Sequence, residues 1–111
     1  LDFALNRLKN ILFNMNVYPK KMLKNLNITN GLIFSQRVML ELTKYGFSRE
    51  KAYTIVQKNA QNSWKKNISL YESLANDEMI NKKISNKNLK RMFDLNYHTK
   101  RIDIIYNRIF K

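Results

Sequence analysis

Cysteine is absent from the chain, so disulfides and thiolate metal sites are excluded. A reducing compartment fits that absence, and a cytoplasmic location is expected. Two glycines and one proline are all that punctuate the 111 residues, so turns are few and helices are favoured. With glycine confined to Gly31 and Gly46, no glycine-rich loop can cradle a phosphate. A single histidine, His98, rules out any site built on two. No apolar run approaches the roughly 20 residues that span a bilayer, and no membrane partner is expected. The opening Leu1-Asp2-Phe3 has neither the basic region nor the small-residue cleavage site of a signal peptide. It also lacks an initiator Met, and the expectation is a chain that starts inside a longer protein.

Acidic residues are scarce as well: 8 stand against 21 Lys and Arg, for a net charge of +13. Such a balance points toward a polyanion. The cations are scattered, however, and the tightest clusters are the pairs Lys20-Lys21, Lys65-Lys66, Lys82-Lys83 and Lys90-Arg91. None is the run of five or more that marks a basic tail. A solvated basic surface with compositional drift is the favoured reading, with no specific nucleic acid as partner. A small basic helical nucleic-acid-binding module is the alternative. The chain has no helix-turn-helix with a basic recognition helix, no zinc site and no aromatic platform in its sequence.

What is present is helical periodicity in one domain-sized chain. Leu1, Leu5, Leu8, Leu12 and Met15, with Ala4 and Ile11, form an apolar stripe that predicts a helix over 1–17. The residue before a proline avoids helical geometry, so that helix should stop before Pro19. Pro19 suits the first turn of a second helix over 19–28, with Met22, Leu23 and Leu26 facing inward. Thr29-Asn30-Gly31 breaks it. A third helix is predicted over 32–45, burying Leu32, Ile33, Val38, Met39 and Leu42, with Gly46 as a left-handed cap. Ser48 caps a fourth over 49–66, whose inner side is read as Ala52, Ile55, Val56, Ala60 and Trp64. Ser69 and Ser85 cap short helices over 70–76 and 86–93, and Ile102, Ile105, Tyr106 and Ile109 predict a last helix over 97–110. The expected fold is all-α, a compact array of about seven helices.

Chemistry-bearing groups are few. His98 could act as a lone base, but a structural or capping role near the last helix is favoured. Asp77-Glu78, adjacent carboxylates on a connection, are read as solvent-exposed rather than metal-binding. Trp64 is read as core. Ser35, Gln36 and Arg37 stand together in an otherwise apolar helix and must cover different faces of it. At least one of them meets the core or a neighbouring domain and needs a partner there. A surface role and a role at an interface or anionic ligand are equally open from spacing.

Tyr18-Pro19-Lys20-Lys21-Met22 with Asn25-Leu26, then Gly31-Leu32-Ile33-Phe34-Ser35-Gln36-Arg37-Val38, resemble the C-terminal domain of adenylosuccinate lyases. Ser48-Arg49-Glu50, Ala52-Tyr53, Val56-Gln57, Asn59-Ala60 and Trp64 continue the resemblance in order. Phe93-Asp94, Tyr97-His98, Ile102-Asp103 and Arg108-Ile109-Phe110 are similar to that family's terminal helix. The likeness runs from about residue 4 to the end. Two positions depart from the pattern: Asn30 stands where a second glycine is usual, and Lys51 where a glutamate usually follows Glu50. Lys51 removes the acid of a capping box while Ser48 keeps its half.

The resemblance implies membership of the fumarase/aspartase superfamily, whose members are homotetramers on a central helix bundle. It implies that residues 1–17 end the central bundle and that 18–111 form the C-terminal helical domain. Its partners would be the rest of the same chain and the other subunits of the tetramer. The implied activity is elimination of fumarate from adenylosuccinate, giving AMP, and from the succinylated aminoimidazole carboxamide ribotide, with no cofactor. The family's catalytic serine loop and catalytic histidines lie upstream of the matching segment, as do its substrate-phosphate contacts. No catalytic, substrate-binding or metal-binding residue therefore carries over. Ser35, Gln36, Arg37, Trp64 and His98 remain as structural or supporting candidates.

Overall fold

The computed structural model describes residues 1–110; Lys111, the last residue of the expected 18–111 unit, lies outside the described residues. Nine α-helices occur among them: α1 (Asp2–Phe13), α2 (Pro19–Asn27), α3 (Ser35–Lys44), α4 (Arg49–Lys66), α5 (Leu70–Ala75), α6 (Glu78–Asn81), α7 (Asn86–Arg91), α8 (Asn96–Thr99) and α9 (Ile102–Ile109). One 3-10 turn, Leu32–Phe34, leads into α3. The all-α expectation holds. The helix expected over 97–110 is two pieces, and α6 joins the set unforeseen. The helix expected over 1–17 ends at Phe13.

The local signals that place these helices are capping side chains. Ser48 accepts from the Lys51 amide at 3.2 Å to open α4. Ser69 accepts from the Glu72 amide while the Glu72 carboxylate accepts from the Ser69 amide, a complete capping box at α5. Ser85 accepts from the Asn88 amide at 3.4 Å at α7. Pro19 occupies the first turn of α2, where its missing N–H costs nothing. Gly46, at φ 83°, closes α3: its amide donates to Thr43 O at 3.2 Å and the Phe47 amide to Leu42 O at 3.3 Å. This paired 5→2 and 6→1 pattern is a Schellman motif, and its flanking side chains Leu42 and Phe47 are both buried. Asn30, where glycine is usual in the resembling family, adopts φ 49° directly before Gly31 at φ 84°. Two consecutive left-handed residues explain why glycine suits both places.

The core lies between α3, α4, α5 and α7, with Val38, Leu42, Ala52, Leu70 and Leu74 wholly buried and Phe34, Ile55, Val56, Ile80, Ile84 and Leu89 around them. α3 packs on α4, α4 on α5, and α5 on both α6 and α7. Outside this unit the chain is open. α1, α2, α8 and α9 bury no residue. The radius of gyration is 19.2 Å, against about 13 Å for a compact chain of this length.

Several inward expectations therefore need correction. Met22, Leu23 and Leu26 are exposed, Met22 at 57%, because nothing among the described residues covers α2. Ile102, Ile105, Tyr106 and Ile109 are exposed on α9 for the same reason. Ile33 is 46% exposed, and its neighbour Phe34 takes the core position as the chain winds into the tighter 3-10 turn. Trp64, read as core, is 75% exposed. The reason is angular. Stepping by fours from Ala52 to Val56, Ala60 and Trp64 drifts the stripe by about 120° around the helix, whereas the eleven residues to Ser63 return it to within about 20°. The buried line of α4 is Ala52, Val56, Asn59 and Ser63, with Ile55 beside it.

Candidate functional site

Gln36, Arg37 and His98 come together on one cleft of about 390 Å³, with Tyr97, Glu41 and Lys44 also in its wall. α3 supplies the first two side chains and α8 the histidine. Ser35 opens α3, half-buried, on a neighbouring cleft that Gln36 also reaches. Trp64 stands apart from both, beside the Ile28–Asn30 turn.

Arg37 organises the cleft. Its Nη1 donates to the carbonyl oxygen of Asp94 at 2.7 Å, and its Nη2 to that of Arg91 at 2.7 Å. Those carbonyls belong to the end of α7 and the turn beyond it, where helical partners run out. A guanidinium suits them, being cationic and forked at the negative end of a helix. Its carbon lies 3.9 Å from the centre of the Tyr97 ring, so the cation also rests on an aromatic face. Nε is buried and has no partner among the described residues. One side chain of α3 thus ties together α7, the 92–95 connection and α8.

His98 continues the stack. Its ring lies 5.4 Å from Tyr97, edge to face, and 6.5 Å from the core residue Phe34. Asp103, five residues on and off helical contact spacing, stands on α9 beyond the interruption at Lys100-Arg101. Lys44 and Glu41 pair at 2.6 Å on the cleft edge, and that carboxylate, by hydrogen bond and charge, holds the Lys44 ammonium above the ordinary lysine range. Chemically this cleft is a brace. Each terminal nitrogen of Arg37 is engaged by a main-chain oxygen, and the guanidinium face rests on Tyr97.

A second polar centre was not legible as such. Asn59, buried on α4, donates through Nδ2 to Ile55 O and to Asp77 Oδ2, each at 2.9 Å, and accepts from Ser73 Oγ at 2.8 Å. Asp77 is not the exposed carboxylate expected of it: its side chain is 7% exposed, caps α6 through the Met79 amide, and faces Lys58 at 3.9 Å. The network joins α4, α5 and α6 with every amide group of Asn59 engaged. The signal that could have found it is the position of Asn59, seven residues after Ala52 and four after Ile55, on the buried stripe itself. Among the described residues no group of three His, Asp or Glu could hold a metal ion, and no helix is long and apolar enough to cross a membrane.

A small helical core held by internal polar braces, with apolar helices left uncovered among the described residues, defines an all-α domain. Comparison with known proteins gives its family. Residues 31–109 match the family described as adenylosuccinate lyase C-terminus, and the chain belongs to that family. It is similar to the adenylosuccinate lyase of Helicobacter pylori, 46% identical with 99% of this chain and 27% of the relative covered. It is also similar to those of Bacillus subtilis, 40% identical over 98% of this chain and 25% of the relative, and Thermotoga maritima, 40% identical over 92% and 24%. The chain spans about a quarter of the length of these relatives.

Proposed function

We propose that this chain is the C-terminal supporting domain of an enzyme that eliminates fumarate from adenylosuccinate, giving AMP, and from the succinylated aminoimidazole carboxamide ribotide. The observation that carries the reading is the match to adenylosuccinate lyases along nearly the whole chain, at 40–46% identity. In this reading the parent enzyme is a cytoplasmic homotetramer. Residues 1–17 continue its central bundle, and the bare faces of α1, α2 and α9 are covered by the rest of the chain and by other subunits. β-Elimination needs a base to take the proton beside a carboxylate and an acid to assist the departing nitrogen. Both come from the remainder of the enzyme. Gln36, Arg37 and His98 hold the wall they stand in, and act on the reaction through shape alone.

A chimera tests this. The last quarter of the Helicobacter pylori lyase is replaced by this chain, and fumarate release from adenylosuccinate is measured. The expected result is activity in the chimera and none in the isolated chain. A folded but inactive chimera, or fumarate release by the isolated chain, would overturn the assignment.

A further inference from the structure

Between α5 and α7 lies a hollow with a different character. Tyr71 and Phe93 meet edge to face in its floor, ring centres 5.5 Å apart, and Phe34 backs Phe93 at 5.4 Å. Lys87, Lys90 and Arg91 form its rim, and the cleft measures about 580 Å³. These three stand at i, i+3 and i+4 on α7, which places them on one helix face. All are exposed, and none belongs to an ion pair among the described residues. The single carboxylate in the wall, Asp94, accepts from the Asn96 amide at 3.0 Å. The rim is also held still, because the carbonyl of Arg91 is one of the two that Arg37 grips.

We propose that this cleft binds a nucleoside phosphate, with the base against a ring of the Tyr71–Phe93 pair and the phosphates against Lys87, Lys90 and Arg91. The chemistry asks for a ligand that is flat and apolar at one end and anionic at the other. A bare anion leaves the ring floor uncovered, and an apolar ligand leaves three cations idle. Aromatic stacking and cationic contacts to phosphate are separate contributions that add when one molecule makes both. The net charge of +13 draws such an anion toward the surface in general. The rings select where it stops. The sequence separates Tyr71 from Phe93, and only the packing of α5 beside α7 brings them into one wall.

Calorimetric titration of the chain with ATP, inorganic triphosphate, adenosine and an oligothymidylate, at fixed salt, decides the matter. ATP is expected to bind about tenfold or more tighter than either triphosphate or adenosine. The double variant Lys87→Gln, Lys90→Gln alters only exposed side chains, should melt like the parent, and should weaken ATP by about tenfold or more. Tyr71→Leu should weaken ATP and leave triphosphate unchanged; if that variant does not fold, the lysine variant decides alone. Triphosphate binding as tightly as ATP would reduce the site to plain charge and overturn the proposal. So would ATP binding that is absent, or that ignores the lysine substitutions. Much tighter binding of the oligothymidylate than of ATP would replace it with a single-strand surface.

Discussion

Arg37 reaches across 54 residues to donate a 2.7 Å hydrogen bond to the main-chain carbonyl of Arg91, a second arginine whose own side chain points to solvent. The same guanidinium takes the carbonyl of Asp94 and lies on Tyr97. Two cations brought so close in the fold would repel if their side chains met. Here one meets the other's backbone dipole at a helix end, where positive charge is favourable.

We predict that Arg37→Ala destabilises the domain by about 1.5–3 kcal/mol, the range for hydrogen bonds that involve a charged group. Arg37→Lys should recover less than half of that, since an ammonium cannot span both carbonyls. Urea denaturation measures both. A midpoint for Arg37→Ala equal to the parent's would remove the brace from this account.

Asn59 supplies a second test. Asn59→Ala leaves the Ser73 hydroxyl and the buried face of Asp77 without their partner, and is expected to cost roughly 2–3 kcal/mol. Ser73→Ala removes one neutral bond and should cost about 1 kcal/mol. Asn59→Asp sets a carboxylate against Asp77 Oδ2, now 2.9 Å from the amide nitrogen. Like charges raise the folded-state pKa of such a pair above its unfolded value, so the penalty grows as pH rises and is relieved as pH falls. Melting curves for Asn59→Asp that lose no stability, relative to the parent, between acidic and neutral pH would contradict this geometry.

Trp64 should behave as a surface residue. We predict that Trp64→Ala changes stability by no more than about 0.5 kcal/mol. The single tryptophan makes fluorescence a direct readout: emission should sit near that of free indole in water, and acrylamide should quench it readily. A blue-shifted, protected tryptophan in the isolated chain would mean that another surface covers it.

The uncovered helices lead to a prediction about association. Leu5, Leu8 and Leu12 on α1, and Ile102, Ile105 and Ile109 on α9, are exposed together along their helices. Contiguous apolar faces of this kind drive association in water. The isolated chain should show concentration-dependent self-association in sedimentation, and amides of Asp2–Phe13 should exchange faster than those of α3 to α5. A strict monomer with α1 as protected as α4 would be inconsistent with the exposed faces.

Where helices begin and end was legible because capping is local. Ser48, Ser69, Ser85, Pro19 and Gly46 act within four residues of themselves, and each does in the structure what its chemistry requires. Apolar periodicity likewise identified Val38, Leu42, Ile55 and Val56 as core. Periodicity reports only that a face is apolar, however. It cannot report whether this chain supplies the surface to cover it, and so α2 and α9 stand open although their apolar spacing predicts an inward face. The segment Ser35-Gln36-Arg37 could be flagged from sequence as needing a partner, but that partner lies four helices further along the chain, at carbonyls that carry no side-chain signature.

The sequence by itself therefore determined an all-helical chain, the helix ends marked by Pro19, Gly46, Ser48, Ser69 and Ser85, and its family, since these depend on residues near one another and on motifs in order. Tertiary structure alone decided which side of α4 is buried, turning the line to Asn59 and Ser63 and leaving Trp64 outside. It decided that Asp77 is interior, that Arg37 clamps the end of α7, and that Tyr71 and Phe93 share a floor. Each of these depends on the angle at which one helix meets another, and that angle is set by the fit of many side chains at once.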